Sequence, residues 1–252
     1  LTSDLKSLPI ETVIARGRIV AENGACLVDC PHYDWPQHAR QTVNMGKSLT
    51  GDDFRIYAPA GANAVTANVI GIVENQAPTR ALKFELPVTD GRVQPTGDVC
   101  QIALVERHRG TGTVVNALVS GFGYDGPMAM ASTVAHDSHH MIVVGTDNQH
   151  MALAANRLGE VGGGITIFKD GAELAMVELP IGGLMSDRPA AEVAAKTQAM
   201  MQAMRDCGCT LNNAYMQHSL LALVVIPELR ISDLGLVDVR SFEFIPLLEP
   251  VS

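Results

Sequence analysis

The stretch LKFELPV at residues 82–88 alternates apolar and polar side chains, and Asp90-Gly91 follows it. Alternation with a period of two places one set of side chains on each face of a β-strand, and Asp-Gly is a strong signal for a tight turn. Apolar runs at residues 99–105 and 141–144 have the length of buried strands. This part of the chain is therefore predicted to be mostly sheet.

A second hairpin is predicted further along the chain. Residues 165–168 and 174–179 have strand-like composition, and they flank Lys169-Asp170-Gly171. An Asp-Gly pair between two apolar runs favours a hairpin turn, because both positions tolerate a positive φ.

Two helices are predicted between and after these strands. The first covers residues 148–160, is capped by Asp147 and ends before the glycines that begin at residue 162. The second is expected to be capped by Ser186 or Asp187 and to end at Gly208. Its methionines are spaced at three or four residues and are predicted to fill the core. A further apolar stretch, residues 219–227, fits either a helix or a strand.

These elements predict an α+β fold with a mostly antiparallel sheet and a few helices, because strands predominate from residue 69 to 180 and do not alternate regularly with helices. Two short strands around Arg16-Gly17 come before it, and they are too small to be stable alone. We expect them to complete a sheet that begins upstream. The predicted organisation is a terminal β segment (1–30), an irregular connector (31–66) and an α+β domain (67–252).

Composition excludes several classes of function. The net charge of −9 and the single Trp argue against nucleic acid as a partner. The longest apolar runs fall far short of the roughly 20 residues that span a bilayer, and no signal segment opens the chain, so we expect a cytoplasmic protein. The odd number of cysteines, five, favours reduced thiols, and Cys207-Gly208-Cys209 belongs to no zinc-type CxxC pattern.

The densest polar cluster is AHDSHH at residues 135–140. On an extended strand, alternate members of this cluster would point to opposite faces, whereas a turn at Asp137-Ser138 would let the imidazoles converge. Three uses stay open for the cluster: a hydrogen-bonded loop, a set of groups that reaches into a neighbouring active site, and an accessory metal site. The candidates for the first two uses are His136, Asp137, Ser138 and His139, and those for the metal are His136, His139 and His140.

A second cluster, VERHRGTG at residues 105–112, runs from a strand end into a glycine-bearing turn. Glu106 and His108 in this cluster are further candidates for groups that lie near the substrate. It lacks the lysine and serine of a phosphate-binding loop, so nucleoside triphosphate binding is not expected. A serine hydrolase is also disfavoured, because Ser138 does not lie at a strand-to-helix turn.

Several strings in one order resemble the C-terminal domain of bacterial adenine deaminases, members of the amidohydrolase superfamily. The resemblance covers residues 80–239 almost completely, and residues 13–24 look like the returning strands of the small β domain in amidohydrolases. The strings that carry it are VERH at 105–108, GTG at 110–112, GFG at 121–123, TVAHDSH at 133–139, VVG at 143–145, GGG at 162–164, LPIGGLMSD at 179–187, IPEL at 226–229 and GLVD at 235–238.

The resemblance implies an enzyme that hydrolyses adenine to hypoxanthine and ammonia. It also implies a divalent metal, manganese or iron with zinc as the alternative, held by an upstream barrel rather than by this segment. The segment alone is then expected to be inactive and to cover or support the active site, with the barrel domain as its partner in a homo-oligomer.

Two departures from the family leave the substrate open. His140 stands where the family commonly has Asn, and the sequence of residues 217–225 differs from the apolar-aromatic pattern usual in the family. A related aminopurine is therefore the alternative to adenine as the substrate. Two other functions also stay open: a non-catalytic module for oligomerisation, and an independent metallohydrolase that uses the histidine cluster.

Overall fold

The computed structural model describes residues 1–29, 31 and 33–249. These residues belong to two compact units, which divide between Trp35 and Pro36. The predicted boundary at residue 30 and the predicted domain end at residue 252 lie outside the described residues.

The first unit contains a small antiparallel sheet. Its strands are β1 (Thr12–Ala15), β2 (Arg18–Glu22) and β3 (Ala25–Cys26), in that order across the sheet. Arg16 and Gly17, with φ of 50° and 75°, form the turn between β1 and β2. The predicted pair of strands around an Arg-Gly turn is confirmed.

The second unit is built on a large mixed sheet. Its strands are β4 (Ala64–Ile72), β5 (Thr79–Thr89), β6 (Arg92–Val93), β7 (Val99–Val105), β8 (Val114–Ser120), β9 (Met128–Ser132), β10 (Met141–Gly145), β11 (Gly164–Lys169) and β12 (Ala172–Glu178). Their order is β12-β11-β9-β10-β7-β8-β4-β5-β6. Neighbours pair antiparallel except for β4 and β8, which pair in parallel. The predicted α+β class with a mostly antiparallel sheet is confirmed.

Both predicted Asp-Gly turns are present. Asp170 and Gly171 have φ of 49° and 81° between β11 and β12, and Asp90 and Gly91 have φ of 52° and 70° between β5 and β6. Positive φ at both central positions is the geometry that matches the twist of a hairpin, and Asp and Gly adopt it with little strain.

The centre of the sheet is buried on both faces. In β7, Ile102 and Leu104 point into one core, while Ala103 and Val105 point into another on the opposite face. The strand is apolar apart from the buried Gln101, because neither of its faces meets water.

Four helices and one short 3-10 helix (Gly51–Phe54) accompany the sheets in the described chain. The helices are α1 (Gln37–Arg40), α2 (Asn148–Val161), α3 (Ala190–Asp206) and α4 (Ala214–Leu220). The predicted cap of α2 is confirmed, because the Asp147 carboxylate accepts a 2.9 Å hydrogen bond from the His150 N–H. Gly162 ends the helix with a φ of 80°.

The start of α3 differs from the prediction. Its N-cap is Pro189, which forms no side-chain cap, whereas Asp187 forms an ion pair with Arg40. Proline can stand at a helix start without a lost hydrogen bond, because the first N–H groups of a helix have no partner within it. The predicted core role of Met200 and Met204 is confirmed, since both are buried against the sheet.

The apolar stretch at residues 219–227 is helical only as far as Leu220, where α4 ends, and the rest lies in turns. A last antiparallel sheet follows, with β13 (Leu229–Ser232), β14 (Gly235–Asp238) and β15 (Glu243–Ile245).

Residues 36–63 are mainly irregular, yet Leu49 and Phe54 within them are buried in the core beneath α2.

Among the residues described, no helix combines the length and the apolar character needed to cross a membrane.

Candidate functional site

The two polar clusters of the sequence meet at one end of the central sheet. Strands β7 and β10 pair antiparallel, and Val105 lies opposite Met141. The next residues along each strand, Glu106 and His140, are therefore neighbours, with Glu106 Oε1 4.0 Å from His140 Nδ1. Strand pairing thus brings together two motifs that are distant in sequence.

Glu106 stabilises the loop that follows β7. Its carboxylate accepts hydrogen bonds from the N–H groups of His108 (2.6 Å), Arg109 (2.8 Å) and Thr111 (3.0 Å), and from the Thr111 hydroxyl (3.1 Å). Burial raises the pKa of this carboxyl, but the donors together outweigh burial and hold the pKa at about 2. Glu106 is therefore an anion near neutral pH and does not serve as a proton donor there.

Arg107 ties three segments together beneath this loop. It is 1 % exposed, and its guanidinium donates to the carbonyls of His139 (2.6 Å), Thr42 (3.0 Å) and Gly182 (3.3 Å). Burial lowers its pKa to about 10, so it stays charged near neutral pH. A Cβ at Gly183, where φ is +71°, would lie 2.8 Å from Arg107 Nη1, which explains why a glycine stands there.

The histidine cluster forms a turn at residues 136–138 and not an extended strand. It arranges the imidazoles as two pairs: the rings of His136 and His139 lie edge to face at 5.1 Å, and those of His108 and His140 lie 4.7 Å apart. Asp137 and Ser138 are exposed at the tip of the turn. The histidines therefore do not converge on a single point.

The proposed accessory metal at His136, His139 and His140 does not fit this arrangement. Within residues 1–29, 31 and 33–249, no group of three or more His, Cys, Asp or Glu side chains is placed to hold a metal ion. His140 faces Glu106 across the strand pair, whereas the ring of His139 packs against that of His136.

Hydrogen bonds fix the tautomers of two histidines. His139 Nδ1 accepts from the Ala135 N–H at 3.3 Å, so the proton of the neutral ring lies on Nε2. Burial, followed by the neighbouring His136, lowers the pKa of His139. His108 Nε2 lies 2.9 Å from the Ser138 carbonyl, which only accepts, so Nε2 of His108 is a donor.

His140 lies between two carboxylates. Its Nδ1 faces Glu106, and its Nε2 lies 3.5 Å from Asp233 Oδ2. Burial is the largest influence on the pKa of His140 and lowers it, although Asp233 and Glu106 act in the opposite direction. Asp233 comes from the turn between β13 and β14 and belongs to no sequence pattern that would reveal it.

A cavity of about 400 Å³ opens beside this pair. We call it the His140 cavity; its lining includes Glu106, His108, Thr111, His140, Asp233 and Leu234. Its size is within the usual range of small-molecule sites, roughly 300–1,000 Å³.

The cysteines lie apart from these loops. Cys100, Cys207 and Cys209 are buried and unpaired, and Cys26 is exposed. Burial raises the pKa of Cys100 to about 12 and that of Cys207 to about 11. Such thiols are protonated near neutral pH and are poor nucleophiles and metal ligands.

Comparison with known proteins identifies a family whose sequence profile includes the residues of this site. The sequence profile of the adenine deaminase C-terminal domain matches residues 76–243, which include Glu106, the histidine cluster and Asp233. The chain belongs to this family. An adenine deaminase of Roseobacter denitrificans is 83% identical over 249 residues, which are 99% of this chain and 42% of that protein.

More distant relatives have the same coverage. An adenine deaminase of Ruegeria pomeroyi is 76% identical over 100% of this chain, and one of Moorella thermoacetica is 44% identical over 97% of it. The chain spans 42% and 41% of the length of these two relatives.

Proposed function

We propose that this chain is the C-terminal portion of an adenine deaminase, which converts adenine and water to hypoxanthine and ammonia. The observation that carries the proposal is the 83% identity to a relative of that name, across 99% of this chain. The 42% coverage of that relative leaves room for an upstream catalytic domain.

The metal chemistry belongs to that upstream domain in this proposal. A divalent metal, manganese or iron with zinc as the alternative, would activate water for attack on the ring carbon that bears the amine. The described part of this chain offers no suitable ligand set, so its own residues are assigned no step at the metal. We also propose that the whole protein is cytoplasmic and that it forms a homo-oligomer.

The contribution of this chain would be to position substrate and exclude water at the mouth of the barrel. His136, Asp137, Ser138 and His139 project from the sheet on a turn, and the buried Arg107 holds that turn through the His139 carbonyl. A loop held from beneath by a charged donor keeps its geometry when a neighbouring surface approaches. Glu106 stabilises the adjoining loop in a similar way, because its carboxylate accepts a hydrogen bond from the His108 N–H.

Ammonia release from adenine tests this proposal. The longer protein that carries this chain after its upstream domain should release ammonia from adenine in the presence of manganese or iron, and the 252-residue chain alone should not. Other aminopurines tested in parallel would show whether a related ring is preferred. Failure of the longer, metal-loaded protein to act on adenine would contradict the assignment.

A second role is favoured by exposed aromatic side chains. Phe242, directly before β15, and Phe244, within it, are 70% and 60% exposed, and exposed apolar clusters commonly mark protein interfaces. Residues near β15 would then join subunits. Light scattering on wild-type protein and on Phe242→Ser should show a smaller assembly for the variant, and an unchanged mass would rule out this role for Phe242.

A further inference from the structure

A second cavity lies at the other end of the β7–β10 strand pair from the His140 cavity. It has a volume of about 280 Å³, and its lining includes Arg55, Arg92, Gln101, Thr146, Asp147 and Gln149. Gln101 lies opposite Gly145, four residues along β7 from Val105 at the other end. Four residues of a strand span about 13 Å, so the two cavities are separate. We call this one the Arg92 cavity.

Backbone pairing brings two arginines to this cavity from distant parts of the chain. Arg92 begins β6, and the next residue, Val93, donates a 2.9 Å backbone hydrogen bond to the Ile56 carbonyl. Tyr57 forms an antiparallel bridge with Arg92 on the same segment. Arg55 comes directly before Ile56, so the side chains of Arg55 and Arg92 line one cavity.

Arg92 is a partly buried cation without an anion. Its Nε is buried and has no hydrogen-bond partner within residues 1–29, 31 and 33–249. No carboxylate of that part of the chain forms an ion pair with it. A buried donor that gains no acceptor is unfavourable, and the cost is larger for a charged group. An anion in the cavity would supply the acceptor.

Arg55 is available to the same anion. Its guanidinium pairs at 2.6 Å with Asp52, whose side chain is 65% exposed, and exposed pairs of this kind contribute little stability. Asp147 is the carboxylate of the cavity lining, but it accepts the His150 N–H and lies 2.5 Å from the His150 Nδ1. The lining therefore carries two guanidiniums against one carboxylate that is already engaged.

Two amide side chains add uncharged donors. Gln101 is the polar residue of the otherwise apolar β7 and is 6% exposed. Its Nε2 donates to Asn116 Oδ1 at 3.1 Å, and an amide nitrogen carries a second hydrogen. Gln149 lines the cavity from the first turn of α2. A polar ligand in the cavity would explain why a glutamine stands in this buried strand.

We propose that the Arg92 cavity binds a phosphate group, with Arg55 and Arg92 as its charged donors and Gln101 and Gln149 as its neutral donors. The fork of a guanidinium matches the oxygens of phosphate through paired hydrogen bonds. A phosphate group carries a charge of about −1.5 to −2 at pH 7, which balances two guanidiniums better than a carboxylate does. The group belongs either to free phosphate or to a small phosphomonoester. This site is independent of the proposed deaminase function.

Calorimetric titration of the 252-residue chain with inorganic phosphate, in a phosphate-free buffer, tests this proposal. We expect one phosphate per chain, with a dissociation constant of about 1 mM or lower. Arg92→Gln and Arg55→Gln should each weaken binding by about tenfold or more, because each removes charged hydrogen bonds. The matched control is Arg109→Gln, which removes the same charge at the His140 cavity and should bind phosphate as the wild type does. Circular dichroism establishes that each variant is folded, and if one arginine variant does not fold, the other decides the matter.

Titrations with acetate and with glycerol 3-phosphate distinguish the classes of ligand. Acetate should bind at least about tenfold more weakly than phosphate, because it carries a single charge. Glycerol 3-phosphate that binds at least as tightly as phosphate would identify a phosphomonoester as the ligand, weaker binding would identify free phosphate, and both results support the site.

Four results would overturn the proposal. These are the absence of saturable phosphate binding at about 10 mM, equal binding of acetate and phosphate, unchanged binding by the folded Arg92→Gln and Arg55→Gln variants, and an equal loss of binding in Arg109→Gln. The last result would show that phosphate responds only to the net charge of the chain. Adenine hydrolysis has no part in these measurements, so their failure and the failure of the proposed function are distinguishable.

Discussion

The guanidinium of Arg107 donates a 2.6 Å hydrogen bond to the carbonyl of His139 and so joins the two polar clusters of the chain. The partners of Arg107 are backbone carbonyls and the Thr42 hydroxyl, all uncharged acceptors. A buried cation of this kind orders three chain segments at once, and its removal leaves three carbonyls to find new donors.

Arg107→Ala is therefore expected to destabilise the 252-residue chain by about 3 kcal/mol, because buried acceptors lose a charged donor. Urea unfolding followed by circular dichroism measures the change. The neighbouring Arg109, whose side chain is exposed, provides the control. Arg109→Ala should change stability by less than about 0.5 kcal/mol, and equal effects of the two substitutions would contradict the role given to Arg107.

Glu106 should make stability fall in acid. Its pKa is held at about 2 in the folded chain, against 4.5 ordinarily, so the folded state binds the proton less readily than the unfolded state. The stabilisation is present above pH 4.5 and is lost as the pH falls towards 2, by up to about 3 kcal/mol. Urea unfolding of Glu106→Gln between these pH values should lack this component.

The exposed Glu85 provides the control for that experiment. Glu85→Gln should lose stability in acid as the wild type does. An acid dependence of Glu106→Gln equal to that of the wild type would show that the loop hydrogen bonds do not favour the carboxylate.

His218 should add a second pH dependence at higher pH. It is fully buried, and burial lowers its pKa to about 4 from 6.5, against a smaller opposing effect of the Met130 backbone. Below pH 6.5 the unfolded state gains the proton first, so stability falls as the pH drops from 6.5 to 4. His218→Leu should flatten the unfolding free energy over this window, whereas His38→Leu, at an exposed position, should not. A slope retained in His218→Leu would show that other groups cause it.

The sequence predicted elements wherever the signal was local. Asp170-Gly171 specifies its hairpin through backbone preference, and Asp147 specifies the start of α2 through one side-chain acceptor. The start of α3 differs from the local prediction because Ser186 and Asp187 are residue types that cap helices, while Asp187 instead pairs with Arg40. A partner that is distant in sequence outweighed the local preference.

The candidate site was predicted only in part for the same reason. The cluster around His139 and the motif around Glu106 are visible as strings, but their contact depends on the register that pairs Val105 with Met141. The sequence does not reveal Asp233, because a lone aspartate is common in hairpin turns and needs no further role there. Its position beside His140 depends on the tertiary structure.

Steady-state hydrolysis of adenine by the longer protein with His136→Ala and His139→Ala tests the central claim most directly. If the turn that carries these residues borders the reaction, kcat should fall at least about tenfold, a loss of about 1.4 kcal/mol of transition-state stabilisation, with folding unchanged by circular dichroism. The exposed His38→Ala should retain full activity. Unchanged kcat and KM in the double variant, with only a lower melting temperature, would contradict the account and leave the turn a purely structural element.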